Sequence, residues 1–334
     1  MMRLPKMDHY SPTTIREACS LLDKHGAEAK VLAGGTDLLA ACKLRNIRPA
    51  LLVSLGAIPE LKGISFQEEE GLRIGAMTSL YDIRYHSSIL NHYQALAQAA
   101  AAVGAMQLQY MGSLGGNLCL NTRCIYYNQS DTWRKSRAIC FKMGGDVCHV
   151  VPKGKKCYAV FSGDTAPALI ALDAQVKLIS SAGERVVPAR ELYTGDGKEP
   201  IALKSGEVLS EIRVPSQNGR QSSIYLKYRT RGAIDFPLTG VAVRMDSKED
   251  GVCTDCKVVL TAVGSAPTEV AEAGKLMKGK SPSVELITQA AEKAVRGAHP
   301  VANTSSSTPA YRRKMVGILT RRALLAAANN LGLV

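Results

Sequence analysis

The chain has 334 residues, of which 46% are hydrophobic and 21% are charged, and its formal net charge is +13. This composition is that of an ordinary globular protein of two or three packed units. The longest apolar runs, such as Ala95–Met106, are short and interrupted, so the sequence predicts no membrane span. No apolar segment follows the charges of Met1–Tyr10, so we predict no export signal and a cytoplasmic protein.

The first part of the chain predicts a helix, a strand, a turn and a second helix. Ser11-Pro12 is typical of a helix start, and Gly26 is expected to end that helix. A strand is predicted over Ala29–Leu32. The first glycine turn, Gly34-Gly35-Thr36-Asp37, then leads into a helix over Leu38–Leu44.

The middle of the chain predicts more strands and helices before a second glycine turn. Strands are expected over Pro49–Leu55 and Leu72–Gly75, and helices over Tyr81–Leu90 and Tyr93–Gln107. The second glycine turn is Gly112-Ser113-Leu114-Gly115-Gly116-Asn117, and the regular pattern stops after it. Neither turn matches a Rossmann GxGxxG or a P-loop, so neither site is supported.

The last part of the chain predicts a small separate domain. An apolar segment over Ala166–Ile179 and a strand over Glu184–Val187 precede a polar segment, Pro215–Gln221. This polar segment indicates a boundary, so we expect domains at 1–218 and 219–334. The second domain is expected to contain three strands and two helices, at Ile224–Tyr228, Thr239–Met245, Cys256–Val263, Ser283–Arg296 and Thr308–Asn329.

Two glycine turns that are each joined to a helix favour two loops gripping one extended ligand. Glycine lets the backbone approach a pyrophosphate, and Thr36, Ser113 and Asn117 can add side-chain hydrogen bonds. A single glycine pair commonly does no more than turn a chain, so either turn taken alone has a purely structural interpretation.

Four cysteines lie in the irregular stretch after the second glycine turn, at Cys124, Cys140, Cys148 and Cys157. Nine cysteines without an export signal argue against a disulfide framework. The spacing C-x15-C-x7-C-x8-C contains no close CxxC pair, which favours an iron–sulfur cluster and leaves a structural zinc site as the alternative. Residues 121–157 hold eight Lys or Arg against two Asp, which suits an anionic cluster or an acidic redox partner, or simply a solvated basic loop.

Seven motifs occur in order along the chain: Ala33-Gly34-Gly35-Thr36-Asp37, Ile74-Gly75-Ala76-Met77-Thr78, Gly112-Ser113-Leu114-Gly115-Gly116-Asn117, Ser162-Gly163-Asp164-Thr165-Ala166-Pro167-Ala168, Glu207-Val208-Leu209-Ser210-Glu211-Ile212, Tyr225-Leu226-Lys227-Tyr228-Arg229 and Tyr311-Arg312-Arg313. This ordered set resembles the FAD-binding subunit of the xanthine dehydrogenase (molybdenum hydroxylase) family. The resemblance implies an α+β protein with a vanillyl-alcohol-oxidase (PCMH)-type FAD-binding fold at 1–218. It also implies a small C-terminal α/β domain at 219–334, like that of the CO dehydrogenase flavoprotein.

The resemblance implies FAD-binding positions and no catalytic residue in this chain. The first glycine turn would cradle the FAD pyrophosphate, the second would line the cofactor, and Asp164, Leu209 and Lys227 would contact it. The residues expected to bind FAD are Leu32, Ala33, Gly34, Gly35, Thr36, Asp37, Leu38, Thr78, Gly112, Ser113, Gly115, Gly116, Asn117, Asp164, Leu209 and Lys227.

Residues 118–161, called the insertion below, separate motifs that almost adjoin in most members of the family. They resemble the insertion of one subgroup, the beta subunits of 4-hydroxybenzoyl-CoA reductase, which carries a [4Fe–4S] cluster. The resemblance implies that Cys124, Cys140, Cys148 and Cys157 are the ligands, while Cys119 remains a substitute for Cys124. Cys253 and Cys256 form a CxxC without a second pair and are interpreted as ordinary thiols.

The function implied is electron transfer within a molybdenum-dependent aromatic acyl-CoA reductase. Electrons would pass between ferredoxin and a [2Fe–2S] small subunit, with a molybdopterin-binding large subunit completing a dimer of heterotrimers. One alternative is the FAD subunit of an oxidising hydroxylase that delivers electrons to NAD. A basic, zinc-stabilised nucleic-acid-binding protein is the alternative from another class, but one Trp and four Phe offer few stacking platforms. We therefore expect neither a nucleic-acid nor a membrane partner.

Overall fold

The computed structural model describes residues 3–217, 219–304 and 306–334. Its strands are β1 (Asp8–Tyr10), β2 (Ala29–Leu32), β3 (Leu51–Ser54), β4 (Ile64–Gln67), β5 (Gly71–Gly75), β6 (Gln175–Ser180), β7 (Gly183–Pro188), β8 (Val208–Val214), β9 (Arg220–Tyr228), β10 (Thr239–Ser247), β11 (Cys253–Thr261) and β12 (Thr268–Glu269). Its helices are α1 (Ile15–His25), α2 (Leu38–Lys43), α3 (Leu80–Tyr85), α4 (Ser87–His92), α5 (Gln94–Ala102), α6 (Met106–Met111), α7 (Leu114–Leu118), α8 (Asp131–Lys135), α9 (Thr165–Ala171), α10 (Ala271–Met277), α11 (Val284–Gly297) and α12 (Pro309–Asn330).

These elements build three sheets. The first is parallel, in the order β1-β3-β2, and α1 packs on it. The second is antiparallel, in the order β4-β5-β8-β6-β7, and the third is antiparallel, in the order β12-β11-β10-β9. The mixed α/β architecture agrees with the expected α+β class.

The third sheet is buried on both faces, and this fixes its position against the rest of the chain. Alternate residues of a strand point to opposite faces. On β9, Ile224 packs into a core formed with α10, α11 and α12, whereas Tyr225 packs into the central core. The same alternation on β10 places Val241 in the core formed with α10, α11 and α12, and Ala242 in the central core. The sheet therefore carries its side chains directly onto α5 and α9.

The first predicted helix begins later than Ser11-Pro12 indicates. Strand β2 coincides with its prediction and Gly26 ends α1 as expected, but α1 starts at Ile15. The reason is a better cap three residues on. The Thr14 hydroxyl accepts a hydrogen bond from the Glu17 N–H at 3.2 Å, and the Glu17 carboxylate accepts one from the Thr13 N–H at 3.0 Å.

Two long helices expected in the middle of the chain are broken. The helix predicted over Tyr81–Leu90 is interrupted at His86, whose backbone is extended (φ −69°, ψ 125°) between α3 and α4. The helix predicted over Tyr93–Gln107 ends at Ala102, and α6 starts only after Gly104, which has a positive φ of 47°. The apolar segment Ala166–Ile179 likewise divides into α9 and β6.

The remaining differences are elements for which the sequence predicted no counterpart. The sequence pattern missed β1, β4, β12, α8 and α10, and it missed β8 apart from its Leu209 motif. Asn218, the last residue of the expected first domain, and Met1 and Met2 at its start lie outside the described residues. Within the described ranges no helix combines the length and apolarity that crossing a membrane requires.

Candidate cofactor site

The two glycine turns lie against each other in the structure. A Cβ atom at Gly34 would lie 1.7 Å from the carbonyl oxygen of Met111 and 3.1 Å from the Cα of Gly112. Only glycine permits this approach. The first turn therefore packs directly on the start of the second, although about eighty residues separate them in sequence.

The second turn is anchored to the segment that follows β5. The Ser113 hydroxyl caps α7 by accepting a hydrogen bond from the Gly116 N–H at 3.1 Å. The Gly115 N–H donates to the carbonyl of Ala76 at 2.8 Å, and a Cβ at Gly115 would lie 2.8 Å from the Cβ of Ala76. The Thr78 carbonyl accepts a hydrogen bond from the Leu114 N–H at 3.0 Å. The Thr78 hydroxyl accepts one from the Gly63 N–H and donates one to the Gly63 carbonyl.

A hydrogen bond from the second turn reaches the start of α9. The Asn117 side-chain oxygen accepts the Thr165 N–H at 3.1 Å and the Thr165 hydroxyl at 2.7 Å. Asn117 thus holds the segment that contains Asp164. The Asn117 side chain, which the sequence predicted to hydrogen-bond a ligand, uses its oxygen to join two parts of the site.

Asp164 forms a buried polar group with two residues of β9. Lys227 Nζ lies 3.0 Å from the Asp164 carboxylate and donates to the Ala102 carbonyl at 2.9 Å. The Tyr225 hydroxyl donates to the same carboxylate at 2.6 Å. Both charged side chains are only 4% exposed. Burial raises the pKa of Asp164 and lowers the pKa of Lys227, and their mutual attraction opposes both shifts.

Leu209 and the residues flanking the first turn have plainer surroundings. Leu209 is buried on β8 in the central core, and the carbonyl of the next residue, Ser210, accepts the Ala76 N–H at 2.9 Å. Leu32, Ala33 and Leu38 are half-buried, and Thr36 is exposed. The predicted residues therefore lie in or near the two glycine turns, and Leu209 contributes to packing in the central core.

Sequence reasoning missed Arg123 as a site residue. Its guanidinium forms an ion pair with Asp37 of the first glycine turn and lies over the Phe236 ring at 4.8 Å. Asp37 occupies the N-cap position of α2 but its side chain makes no capping hydrogen bond there. The only signal in the sequence was that this basic residue directly precedes Cys124.

Four of the five cysteines of the insertion line one small cavity, called the cysteine cavity below. Its walls hold Cys124, Cys140, Cys148 and Cys157, which come from four separate parts of the insertion. Aromatic side chains from Tyr126, Tyr127, Phe141, His149 and Tyr158 complete it. Over residues 3–217, 219–304 and 306–334, however, no three His, Cys, Asp or Glu side chains form a group that could hold a metal ion.

Two backbone N–H groups and one lysine lie beside the thiols of this cavity. The Val151 N–H donates to Cys148 Sγ at 3.4 Å, and the Ala159 N–H donates to Cys157 Sγ at 3.5 Å. Lys142 also lines the cavity, and burial lowers its pKa to about 8 while the nearby thiols oppose that shift. Burial raises the pKa of the Cys124 thiol.

The other cysteines lie elsewhere. Cys119 packs against the central core, and burial raises its pKa to about 12. Cys119 is not among the residues that line the cysteine cavity. Cys253 and Cys256 are buried in the core of the C-terminal sheet, which agrees with their interpretation as ordinary thiols.

Comparison with known proteins assigns both parts of the chain. Residues 5–217 match the family model of the FAD binding domain in molybdopterin dehydrogenase. Residues 224–327 match that of the CO dehydrogenase flavoprotein C-terminal domain.

Individual relatives match over nearly the whole length. The carbon monoxide dehydrogenase medium chain of Hydrogenophaga pseudoflava is 29% identical over 326 residues, 97% of each chain. The xanthine dehydrogenase FAD-binding subunit of Escherichia coli O157:H7 is 23% identical over 322 residues, 96% of this chain and 95% of the relative. The solved structure of the Hydrogenophaga pseudoflava carbon monoxide dehydrogenase superimposes with a TM-score of 0.81 at 27% identity, covering 98% of each chain. The chain therefore belongs to the family of FAD-binding medium subunits of the molybdenum hydroxylases.

Proposed function

We propose that this chain is the FAD and [4Fe–4S] electron-transfer subunit of a molybdenum-dependent aromatic acyl-CoA reductase of the 4-hydroxybenzoyl-CoA reductase type. The observation that carries the proposal is the convergence of four cysteines on one cavity inside an insertion into an FAD-binding family fold. The insertion is joined to the first glycine turn by the Arg123–Asp37 ion pair. Two redox groups held this way would pass electrons from one to the other.

The FAD would be held by the residues that the sequence indicated. The backbone of Gly34–Asp37 and of Gly112–Asn117 would approach its pyrophosphate, because glycine leaves the peptide N–H groups accessible. Asp164 and Lys227 offer one buried acceptor and one buried donor beside these turns. Leu32, Ala33, Leu38, Thr78 and Leu209 would contribute packing and positioning. The FAD supplies one- and two-electron redox chemistry when bound.

The cluster would be ligated by Cys124, Cys140, Cys148 and Cys157. A single zinc ion needs its thiolates within a few ångströms of one another, about 2.3 Å from the metal. A four-iron cluster has a body of its own between the thiolates, so its ligands stand further apart around a cavity. The lack of a single-ion grouping among the described residues is therefore compatible with a cluster. The N–H groups of Val151 and Ala159 that point at sulfur are of the kind that tunes cluster potential.

The partners would be a molybdopterin-binding large subunit and a [2Fe–2S] small subunit, arranged as a dimer of heterotrimers. Support comes from the relatives, which are themselves a medium chain and an FAD-binding subunit of dehydrogenases. Ferredoxin would be the external carrier. Exposed basic residues of the insertion, Lys135, Arg137, Lys153 and Lys155, offer a positive surface to such an acidic protein.

The second candidate function is the FAD subunit of a xanthine-dehydrogenase-like hydroxylase that delivers electrons to NAD. It is favoured by relatives that are dehydrogenases. It offers no role for the four converging cysteines, and this is why we place it second.

The test is anaerobic purification of the complex through this chain. We expect molybdenum, FAD and two further subunits to accompany it, and we expect reduced ferredoxin to drive reductive removal of a phenolic hydroxyl from an aromatic CoA thioester. Electron delivery to NAD with no ferredoxin-dependent reaction would contradict the first function and support the second.

A further inference from the structure

Arg123 lies where the insertion enters and leaves the fold. Its N–H donates to the carbonyl of Val160 at 2.7 Å, and the Val160 N–H donates back to the carbonyl of Arg123 at 2.8 Å. This pair of hydrogen bonds closes the neck of the insertion. The next residue, Cys124, is buried and lines the cysteine cavity. The backbone position of Arg123 is therefore fixed relative to the proposed cluster.

The Arg123 side chain reaches out of the insertion to two other parts of the chain. Its guanidinium pairs with Asp37, which begins α2 directly after the first glycine turn. It also lies over Phe236, which belongs to the loop between β9 and β10. The Arg123 guanidinium thus contacts the first glycine turn and the C-terminal domain, and the Arg123 backbone continues directly into Cys124 of the cysteine cavity. Arginine suits such a place because it pairs and stacks at once.

The contact is partly shielded from water, so it constrains geometry more than a surface ion pair would. The side chains of Arg123 and Asp37 are 22% and 26% exposed. Burial lowers the pKa of Arg123. Asp37 gives up the helix-capping hydrogen bond that an aspartate at its position ordinarily makes, and its carboxylate is turned to Arg123 instead.

We propose that Arg123 is a positioning residue for electron transfer. Through its ion pair with Asp37, it would hold the cysteine cavity at a fixed separation from the first glycine turn. The proposal rests on the proposed function, since it needs both redox groups. Transfer between two centres slows steeply as their separation grows, so a residue that fixes the separation controls the rate without touching either centre. Two electrons, donated one at a time to the cluster by reduced ferredoxin, and two protons from solvent would complete the reduction of FAD.

The experiment uses the anaerobically purified complex with FAD added to saturation. The variants are Arg123→Gln, Arg123→Lys, Asp37→Asn and the double variant Arg123→Gln/Asp37→Asn. Arg16→Gln, at an exposed arginine of α1 outside both the insertion and the glycine turns, is the control. Bleaching of the flavin band after mixing with reduced ferredoxin gives the transfer rate. Iron content, flavin content and both midpoint potentials are measured on the same samples.

We expect Arg123→Gln and Asp37→Asn each to slow flavin reduction by roughly ten-fold or more, as small misplacements of reacting groups do. The double variant should be no slower than the slower single variant, because both remove one interaction. Arg123→Lys should recover part of the rate, and Arg16→Gln should match the parent.

Two results would overturn the inference. One is a parent-like rate in Arg123→Gln with iron and FAD retained. The other is a slower rate that follows entirely from lost iron, lost FAD or a shifted potential, which would make Arg123 merely structural. If the parent complex itself contains no iron in this chain, the proposed function fails, and that outcome is distinguishable from both.

Discussion

Lys227 Nζ and the Asp164 carboxylate meet at 3.0 Å across two units of the fold, with both side chains only 4% exposed. Lys227 stands on β9 of the C-terminal sheet, and Asp164 begins α9 of the FAD-binding part. The sequence resemblance assigned both residues to FAD. The structure adds that they also join the two parts of the chain to each other.

Breaking this pair from one side should cost stability. Replacing a single partner leaves an uncompensated buried charge, so we expect Asp164→Asn or Lys227→Met to lower the free energy of unfolding by about 3–5 kcal/mol. The double variant should lose less than the sum of the two single changes. Denaturant unfolding of the four proteins measures this, and additive losses would show that the pair does not couple.

Gly115 should be required for FAD binding because of its close approach to Ala76. A Cβ at this position would lie 2.8 Å from the Ala76 Cβ and 2.9 Å from its carbonyl oxygen. We expect Gly115→Val to displace the second glycine turn and lower the FAD content of the purified protein. Gly56→Val is the control, because a Cβ there meets only the Ser54 hydroxyl at 3.7 Å. An unchanged flavin content in Gly115→Val would remove this turn from the site.

Substitutions in the cysteine cavity should remove iron from the protein without removing FAD. Cys140→Ser should abolish the cluster while FAD stays bound, since Cys140 lines the cavity and no residue of either glycine turn does. Cys119→Ser should keep its iron, because Cys119 packs in the central core instead. Iron and flavin analyses of both proteins check this. Loss of flavin with iron retained in Cys140→Ser would contradict the assignment.

The ion pair of Glu207 with Arg185, just before β8, should make the free energy of unfolding depend on pH. Arg185 donates to its carboxylate at 2.7 and 2.8 Å and holds the pKa of Glu207 below its usual 4.5. A carboxyl with a depressed pKa in the folded state contributes stability above its unfolded pKa, and that contribution is lost as pH falls.

The stability advantage of the parent over Glu207→Gln should therefore be about 1–3 kcal/mol at neutral pH and shrink as pH falls below 4.5. Urea unfolding of both proteins at pH 7 and at pH 4 measures the difference. A constant difference across that range would exclude Glu207 as the titrating group.

Local chemistry made part of the site predictable. Glycine turns and caps depend on neighbouring residues, so the turns at Gly34 and Gly115 and the end of α1 at Gly26 could be inferred from sequence. The helix breaks at His86 and Gly104 were missed because apolar periodicity continues across them.

Long-range pairs were not predictable in this way. The contact of Arg123 with Asp37 joins residues far apart in sequence, and neither residue type specifies its partner. The same holds for the Tyr225 hydroxyl on Asp164. The convergence of the four cysteines could be proposed only because a family resemblance supplied what spacing alone did not.

We propose above that the insertion holds an iron–sulfur cluster beside the flavin. The most direct measurement is the iron, sulfide and zinc content of the anaerobically purified protein, with its electron paramagnetic resonance spectrum after reduction. We expect about four iron and four sulfide per chain and a cluster signal that Cys140→Ser removes. Stoichiometric zinc without iron, or no metal at all beside full FAD content, would contradict it.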